Sequence, residues 1–119
     1  MEPIQTALLS YGMSGRVFHA PFIHLHPGFH LVGSWERSKQ VIQGHYPGVR
    51  SFGTIEEILK DGQIELVIVN TPTYTHYEYT KKVLEAGKHA VVEKAFVGST
   101  AEAEELRDLA KAKGLKLSV

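Results

Sequence analysis

Apolar positions in this chain gather in short runs, and between the runs they recur at helical spacing. Ile4, Ala7, Leu8 and Leu9 open the series and predict a strand over residues 4–10. Phe29 to Trp35 predicts a second strand, Val49 to Phe52 a third and Glu65 to Val69 a fourth. Ala90 to Val92 and Leu115 to Val119 predict two more. Leu66, Val67, Ile68 and Val69 are apolar without alternation, which a strand buried on both faces requires. Between the runs, Val17, Phe18 and Phe22 follow a helical pattern that fades before Pro27-Gly28. Ser38 to Gly44 predicts a short helical turn. Thr54 and Glu57 stand three apart, as a capping box at a helix start demands, and Asp61-Gly62 ends that helix. A helix from Tyr74 to Glu85 closes on Ala86-Gly87, with Tyr77, Val83 and Leu84 as its core face. The last helix opens at Thr100 with acids in its first turn and carries Lys111 and Lys113 near its end, the order that complements a helix dipole.

Strand and helix therefore alternate five times and close on a strand. Such alternation predicts an α/β domain built on an open parallel sheet with helices on both faces. At 119 residues, 43% hydrophobic and 22% charged, the composition is that of one ordinary globular domain. Thirteen basic and thirteen acidic residues balance, so neither nucleic acid nor an anionic membrane is expected as partner. The apolar runs are too short to span a bilayer. There is no cysteine, hence no disulfide framework and no thiolate chemistry. Glu2 lies where a basic leader would begin, so no signal peptide is read and a cytoplasmic location is expected.

The candidate chemistry begins at the end of the first strand. Gly12 and Gly15, three apart between an apolar strand and a helix, match the second half of the dinucleotide-binding fingerprint, with Ser10 in place of its first glycine. A turn of this kind leaves backbone N–H groups free at a helix N-terminus, where they bind phosphate oxygens. Glu36 follows about 20 residues beyond Gly15, the separation at which an acid accepts hydrogen bonds from the adenosine ribose diol. That position favours NAD. Arg37 beside it can stack on adenine or pair with a 2′-phosphate, which keeps NADP open. Asn70-Thr71-Pro72-Thr73 forms a polar turn after the fourth strand, and Glu93-Lys94-Ala95-Phe96 another after the fifth. His19, His24, His26 and His30 cluster along the chain, but no carboxylate or cysteine completes a local set, so they are read as solvated histidines and no metal site is expected.

With these residues in hand, the chain resembles the glucose–fructose oxidoreductase and inositol dehydrogenase family (Gfo/Idh/MocA). SYGMSGRVFHAP, SWERS and VNTPTYTHYEYTKKVLEAGKHAVVEKAF carry the likeness along nearly the whole sequence. The resemblance implies a doubly wound, mainly parallel sheet of five or six strands, Rossmann-type in three αβα layers. Residues 1–119 would be the NAD(P)-binding domain, and the family's C-terminal substrate domain would lie outside this chain. It also implies an oxidoreductase that transfers hydride between NAD(P) and a sugar, cyclitol or related polyol, and a homo-oligomer at full length. This chain alone is expected to be inactive. By the same resemblance Gly12, Met13, Ser14 and Gly15 form the pyrophosphate turn, with Glu36 and Arg37 at the ribose. Asn70, Thr71, Pro72 and His76 line the cleft near the nicotinamide ribose. Glu93 and Lys94 match a Glu-Lys-Pro motif whose lysine reaches the reacting oxygen, which makes Lys94 the candidate catalytic residue. Ala95 stands where the family has proline, so two geometries are open: a trans Lys94-Ala95 bond that points the lysine elsewhere, or a cis one. A non-catalytic nucleotide-binding or sensor module and half of an NAD-dependent glycoside hydrolase are the alternatives.

Overall fold

The computed structural model describes residues 2–119, and its elements alternate as the apolar runs predict. β1 (Ile4–Leu8) leads through a π-helical segment (Ser14–His19) into α1 (Ala20–Leu25). β2 (Phe29–Trp35), α2 (Ile42–His45), β3 (Arg50–Phe52), α3 (Ile55–Lys60) and β4 (Leu66–Val69) follow. A 3-10 turn (Thr73–Thr75) enters α4 (His76–Glu85). β5 (His89–Val92), α5 (Thr100–Ala112) and β6 (Leu117–Ser118) complete the series. The strands form one six-stranded sheet in the order β3-β2-β1-β4-β5-β6, and every neighbouring pair is parallel. The chain steps outward from β1 to β3, then crosses back to lay β4 on the other side of β1. That reversal opens a crevice at the carboxyl ends of β1 and β4, where open α/β sheets take ligands.

Because successive strand residues point to opposite faces, the central strands feed two cores. Ala7, Val67 and Val69 pack with Ile55 and Ile58 of α3, Val83 and Leu84 of α4, and Leu106 and Ala110 of α5. Leu8 and Ile68 pack on the other side with Ala20 of α1 and Ile42 of α2. This two-sided burial is why β4 reads as an unbroken apolar run. The helix starts are set locally. The Thr54 hydroxyl accepts the Glu57 N–H and the Glu57 carboxylate accepts the Thr54 N–H, both at 3.3 Å, so the capping box forms. α5 starts at Thr100 as expected, and its cap is Ser99, whose hydroxyl accepts the Glu102 N–H at 3.2 Å.

The first helix corrects the sequence pattern. Val17, Phe18 and Phe22 are 53%, 57% and 68% exposed, and the small residues Gly15 and Ala20 face the sheet instead. The reason is distance. A Cβ on Gly15 would sit 2.3 Å from the Ser10 carbonyl oxygen, so the helix comes too close to the strand ends for larger side chains there.

Candidate functional site

The turn after β1 is held by a residue from the turn after β4. Leu9 still donates its N–H to the Ile68 carbonyl at 3.1 Å, as a strand residue would. One residue later the ladder hands over to Asn70. The Ser10 N–H donates to Asn70 Oδ1 at 3.0 Å, and Asn70 Nδ2 donates back to the Ser10 carbonyl at 2.8 Å and to Ser14 Oγ at 3.2 Å. The Ser10 hydroxyl accepts the Gly12 N–H at 3.2 Å. A serine therefore completes the turn where the fingerprint has its first glycine. The helix that begins here has no side-chain cap at Met13 and no acid in its first turn. Its leading N–H groups stay open to a ligand at the positive end of the helix.

The turns after β4 and β5 are joined by His76. This side chain is 1% exposed. Its Nε2 lies 2.8 Å from the Thr71 carbonyl, and its Nδ1 lies 2.8 Å and 3.0 Å from the carbonyls of Ala95 and Phe96. His76 thus sits beneath the cleft, gripping the two turns that form its wall. Asn70 and Thr71 are nearly buried, while Pro72 is exposed. The Thr71 and Thr75 hydroxyls are hydrogen-bonded at 2.6 Å, and Thr75 also donates to the Pro72 carbonyl. Glu93 continues the ladder, its N–H donating to the Val69 carbonyl at 3.0 Å. Its carboxylate meets the His19 ring nitrogen Nε2, which ties the first helix to the end of β5. The Lys94-Ala95 bond is cis. Lys94 itself is exposed at the rim and makes no ion pair among the described residues.

Beyond β2 lies a groove of about 370 Å³ lined by Gly12, Arg16, Glu36, Arg37, Ser38 and Lys39, among others. Glu36 turns its carboxylate toward α2: Oε2 accepts the Val41 N–H at 2.9 Å and the Ile42 N–H at 3.3 Å. The Arg37 guanidinium lies 4.0 Å over the Trp35 ring, which rests edge-on against Tyr79. Tyr11 closes the near side, its hydroxyl 2.6 Å from His45 Nδ1. Burial pushes the Tyr11 phenol above its ordinary range; Tyr46 adds to the rise, Arg16 opposes it, and Glu36 adds a little more.

A parallel sheet in this strand order, with a glycine turn held at its crossover, is the setting of a dinucleotide site. The family described as "Oxidoreductase family, NAD-binding Rossmann fold" matches residues 4–119. The chain belongs to the Gfo/Idh/MocA family. It carries that family's NAD-binding Rossmann fold. Among curated Gfo/Idh/MocA relatives, scyllo-inositol 2-dehydrogenase (NADP(+)) IolW of Bacillus subtilis is 36% identical over 119 residues, covering 100% of this chain and 33% of the relative. A solved structure from Bacteroides fragilis is 50% identical with a TM-score of 0.97, over 100% of this chain and 37% of that one. GenD2 from gentamicin A biosynthesis, solved in complex with NAD, is 30% identical with a TM-score of 0.92, over 99% of this chain and 34% of that one. The chain spans about a third of the length of the curated relatives it matches.

The Gfo/Idh/MocA residues expected at the site fall on four neighbouring turns: 12–15 after β1, 36–37 after β2, 70–72 and 76 after β4, and 93–94 after β5. Ser10, Arg16, His19, Ser38 and Lys39 join them without having been singled out for the cofactor. Arg16, Ser38 and Lys39 stand beside residues that were, and adjacency is the signal that could have found them. His19 corrects the reading of the histidines as solvated, since its partner Glu93 lies 74 residues away. The other three have partners as well. His26 Nδ1 accepts the Gly28 N–H, His30 pairs with Gln5, and His24 lies tilted against the Tyr46 ring.

Proposed function

We propose that this chain is the nucleotide-binding part of an oxidoreductase that moves hydride between NAD(P) and a carbinol of a sugar, cyclitol or related polyol. The observation that carries the reading is the convergence of the Gly12–Gly15, Asn70–Pro72 and Glu93-Lys94 turns on one sheet crevice. The residues fit a dinucleotide. The open helix N-terminus and the close approach at Gly15 suit a pyrophosphate, with Met13 and Ser14 supplying N–H donors. Asn70, Thr71 and Pro72 form the wall on the nicotinamide side. The bound cofactor supplies the hydride acceptor. Lys94 offers a cation to the reacting oxygen and holds the negative charge that develops there. Glu93 carries a carboxylate beside it, held by His19. The name of the inositol-oxidising relative supports the substrate class.

The test uses the complete protein of which this domain is part. Aldoses and inositols are offered with the oxidised cofactor, and reduced nicotinamide is followed by absorbance. Lys94→Met is expected to abolish turnover while keeping nucleotide affinity. Wild-type turnover in that variant would remove Lys94 from the chemistry.

A further inference from the structure

Glu93 and Lys94 are consecutive and opposite in charge, yet they do not pair. Among the described residues Lys94 makes no ion pair, while the Glu93 carboxylate is bonded to His19 Nε2. Neighbours of opposite charge do pair elsewhere in this chain: Arg107 and Asp108 meet at 3.0 Å. The difference lies in what else reaches the acid. His19 closes the π-helical segment Ser14–His19, and the fold brings it against a residue 74 positions away. Such π-helical turns recur at functional sites. An ionised carboxylate only accepts hydrogen bonds, so the ring nitrogen facing it carries the hydrogen whether or not the ring is charged. A bond to an ionised acceptor is a strong one. The two side chains are 19% and 27% exposed, and that shielding favours their contact over one with Lys94, which stands at the exposed rim. His76 meanwhile holds the carbonyls of Ala95 and Phe96 from beneath. The two histidines thus divide the turn after β5, one taking its backbone and the other its carboxylate.

We propose that His19 is a positioning residue: it holds the Glu93 carboxylate away from Lys94 and so leaves the Lys94 ammonium free for the reacting oxygen. This rests on the functional reading above, in which Lys94 meets the developing negative charge. An ammonium already in contact with a carboxylate has less to offer such an oxygen, because the two anions compete for one cation. Without His19, Glu93 has no other side-chain partner among the described residues and a lysine next to it.

The test has two arms. In the first, this chain is acetylated with N-hydroxysuccinimidyl acetate, and labelling of Lys94 is read by mass spectrometry against Lys60, an exposed lysine on α3. His19→Ala should slow labelling of Lys94 about two- to sixfold, the share of free amine that an exposed ion pair withholds. Adding Glu93→Gln to His19→Ala should restore the rate, since a neutral amide does not hold an ammonium. His19→Gln keeps an N–H donor and should recover most of the loss. In the second arm, the complete protein oxidises a polyol with NAD(P). His19→Ala should lower kcat by the same factor at unchanged KM for the nucleotide, and the double variant should return to the level of Glu93→Gln alone. Labelling of Lys94 unchanged by His19→Ala, or a double variant no faster than His19→Ala, would overturn the role of His19. A nucleotide KM that moves in step with kcat would do the same, because it marks a general loss of the cleft. Absence of polyol oxidation by the parent protein, with the labelling pattern as expected, would overturn the functional reading and leave the hold of His19 on Glu93 standing.

Discussion

Asn70 pairs with both backbone polar groups of Ser10, accepting its N–H at 3.0 Å and donating to its carbonyl at 2.8 Å. The side chain thereby acts as one more rung of the sheet between β1 and β4, just where the strands part to open the crevice. Asn70→Ala should leave both Ser10 groups unpaired. Each partly buried group without a partner costs about 1–3 kcal/mol. The expected result is a clear fall in the urea midpoint together with weaker nucleotide binding. An unchanged midpoint would show that the two turns hold each other by other means.

The two glycines of the first turn should respond differently to alanine. At Gly15 the new methyl would lie 2.3 Å from the Ser10 carbonyl, a backbone atom that cannot step aside. Overpacking of this kind costs about 1–3 kcal/mol, so Gly15→Ala should melt earlier. At Gly12 the nearest atom is Ser10 Oγ at 3.5 Å, an ordinary contact. Gly12→Ala should melt as the parent does while binding nucleotide less well, because its methyl enters the groove. Equal melting temperatures for the two variants would contradict the close approach at Gly15.

His76 should matter to the cleft through the turns it grips. Exchange for phenylalanine keeps a buried ring but leaves the carbonyls of Thr71, Ala95 and Phe96 without its nitrogens. Stability should drop by about 1–3 kcal/mol for the burial of unpaired acceptors. The local signature is faster amide hydrogen exchange across residues 94–97, which a general loss of packing would not confine there. Under the proposed function, the same variant of the complete protein should lose turnover by letting Lys94 wander.

Lys88 should give the fold a pH dependence on the alkaline side. It is 5% exposed, and its ammonium donates to the carbonyls of Asp61 and Ile64 at 2.7 Å and 2.8 Å. Burial lowers its pKa from the ordinary 10.5, with nearby Asp61 opposing the shift. Between the lowered value and 10.5 the unfolded chain binds more protons than the folded one, so this group's contribution to stability rises with pH across that window. Lys88→Met should flatten that rise in urea unfolding curves taken through the alkaline range. A slope unchanged by the substitution would assign the effect to another group.

The sheet was legible because burial on both faces leaves an unmistakable run such as Leu66–Val69, and because Thr54 and Glu57 encode their cap within four residues. The first helix was not. Periodicity in Val17, Phe18 and Phe22 marks an apolar face but cannot say that Gly15 and Ala20 take the inward one. Gly15, Asn70 and Lys94 could be located since a strand end fixes where a turn must lie. What those turns do with their hydrogen bonds depends on partners far off in the chain. Asn70 reaches back to Ser10, His19 to Glu93, and His76 to the carbonyls after β5. Glu36 illustrates the limit at short range as well. Its place near the end of β2 suggested a ligand, and nothing in that spacing says that its carboxylate also accepts the N–H groups of Val41 and Ile42.

The strand order also bears on how the domain is made. β1 pairs with β2 on one side and with β4 on the other, and β4 begins at Leu66. As the chain emerges from a ribosome, β1, β2 and β3 can associate while one flank of β1 still has no neighbour. That flank presents unpaired backbone groups beside Ala7 and Leu8, both fully buried once the fold is complete. An apolar strand edge of this kind invites other chains. Vectorial synthesis thus leaves a sticky half-sheet until the Leu66–Val69 segment arrives. Slow elongation between the emergence of β3 and that of β4 would prolong that exposure, and a holdase chaperone bound over β1 would cover it.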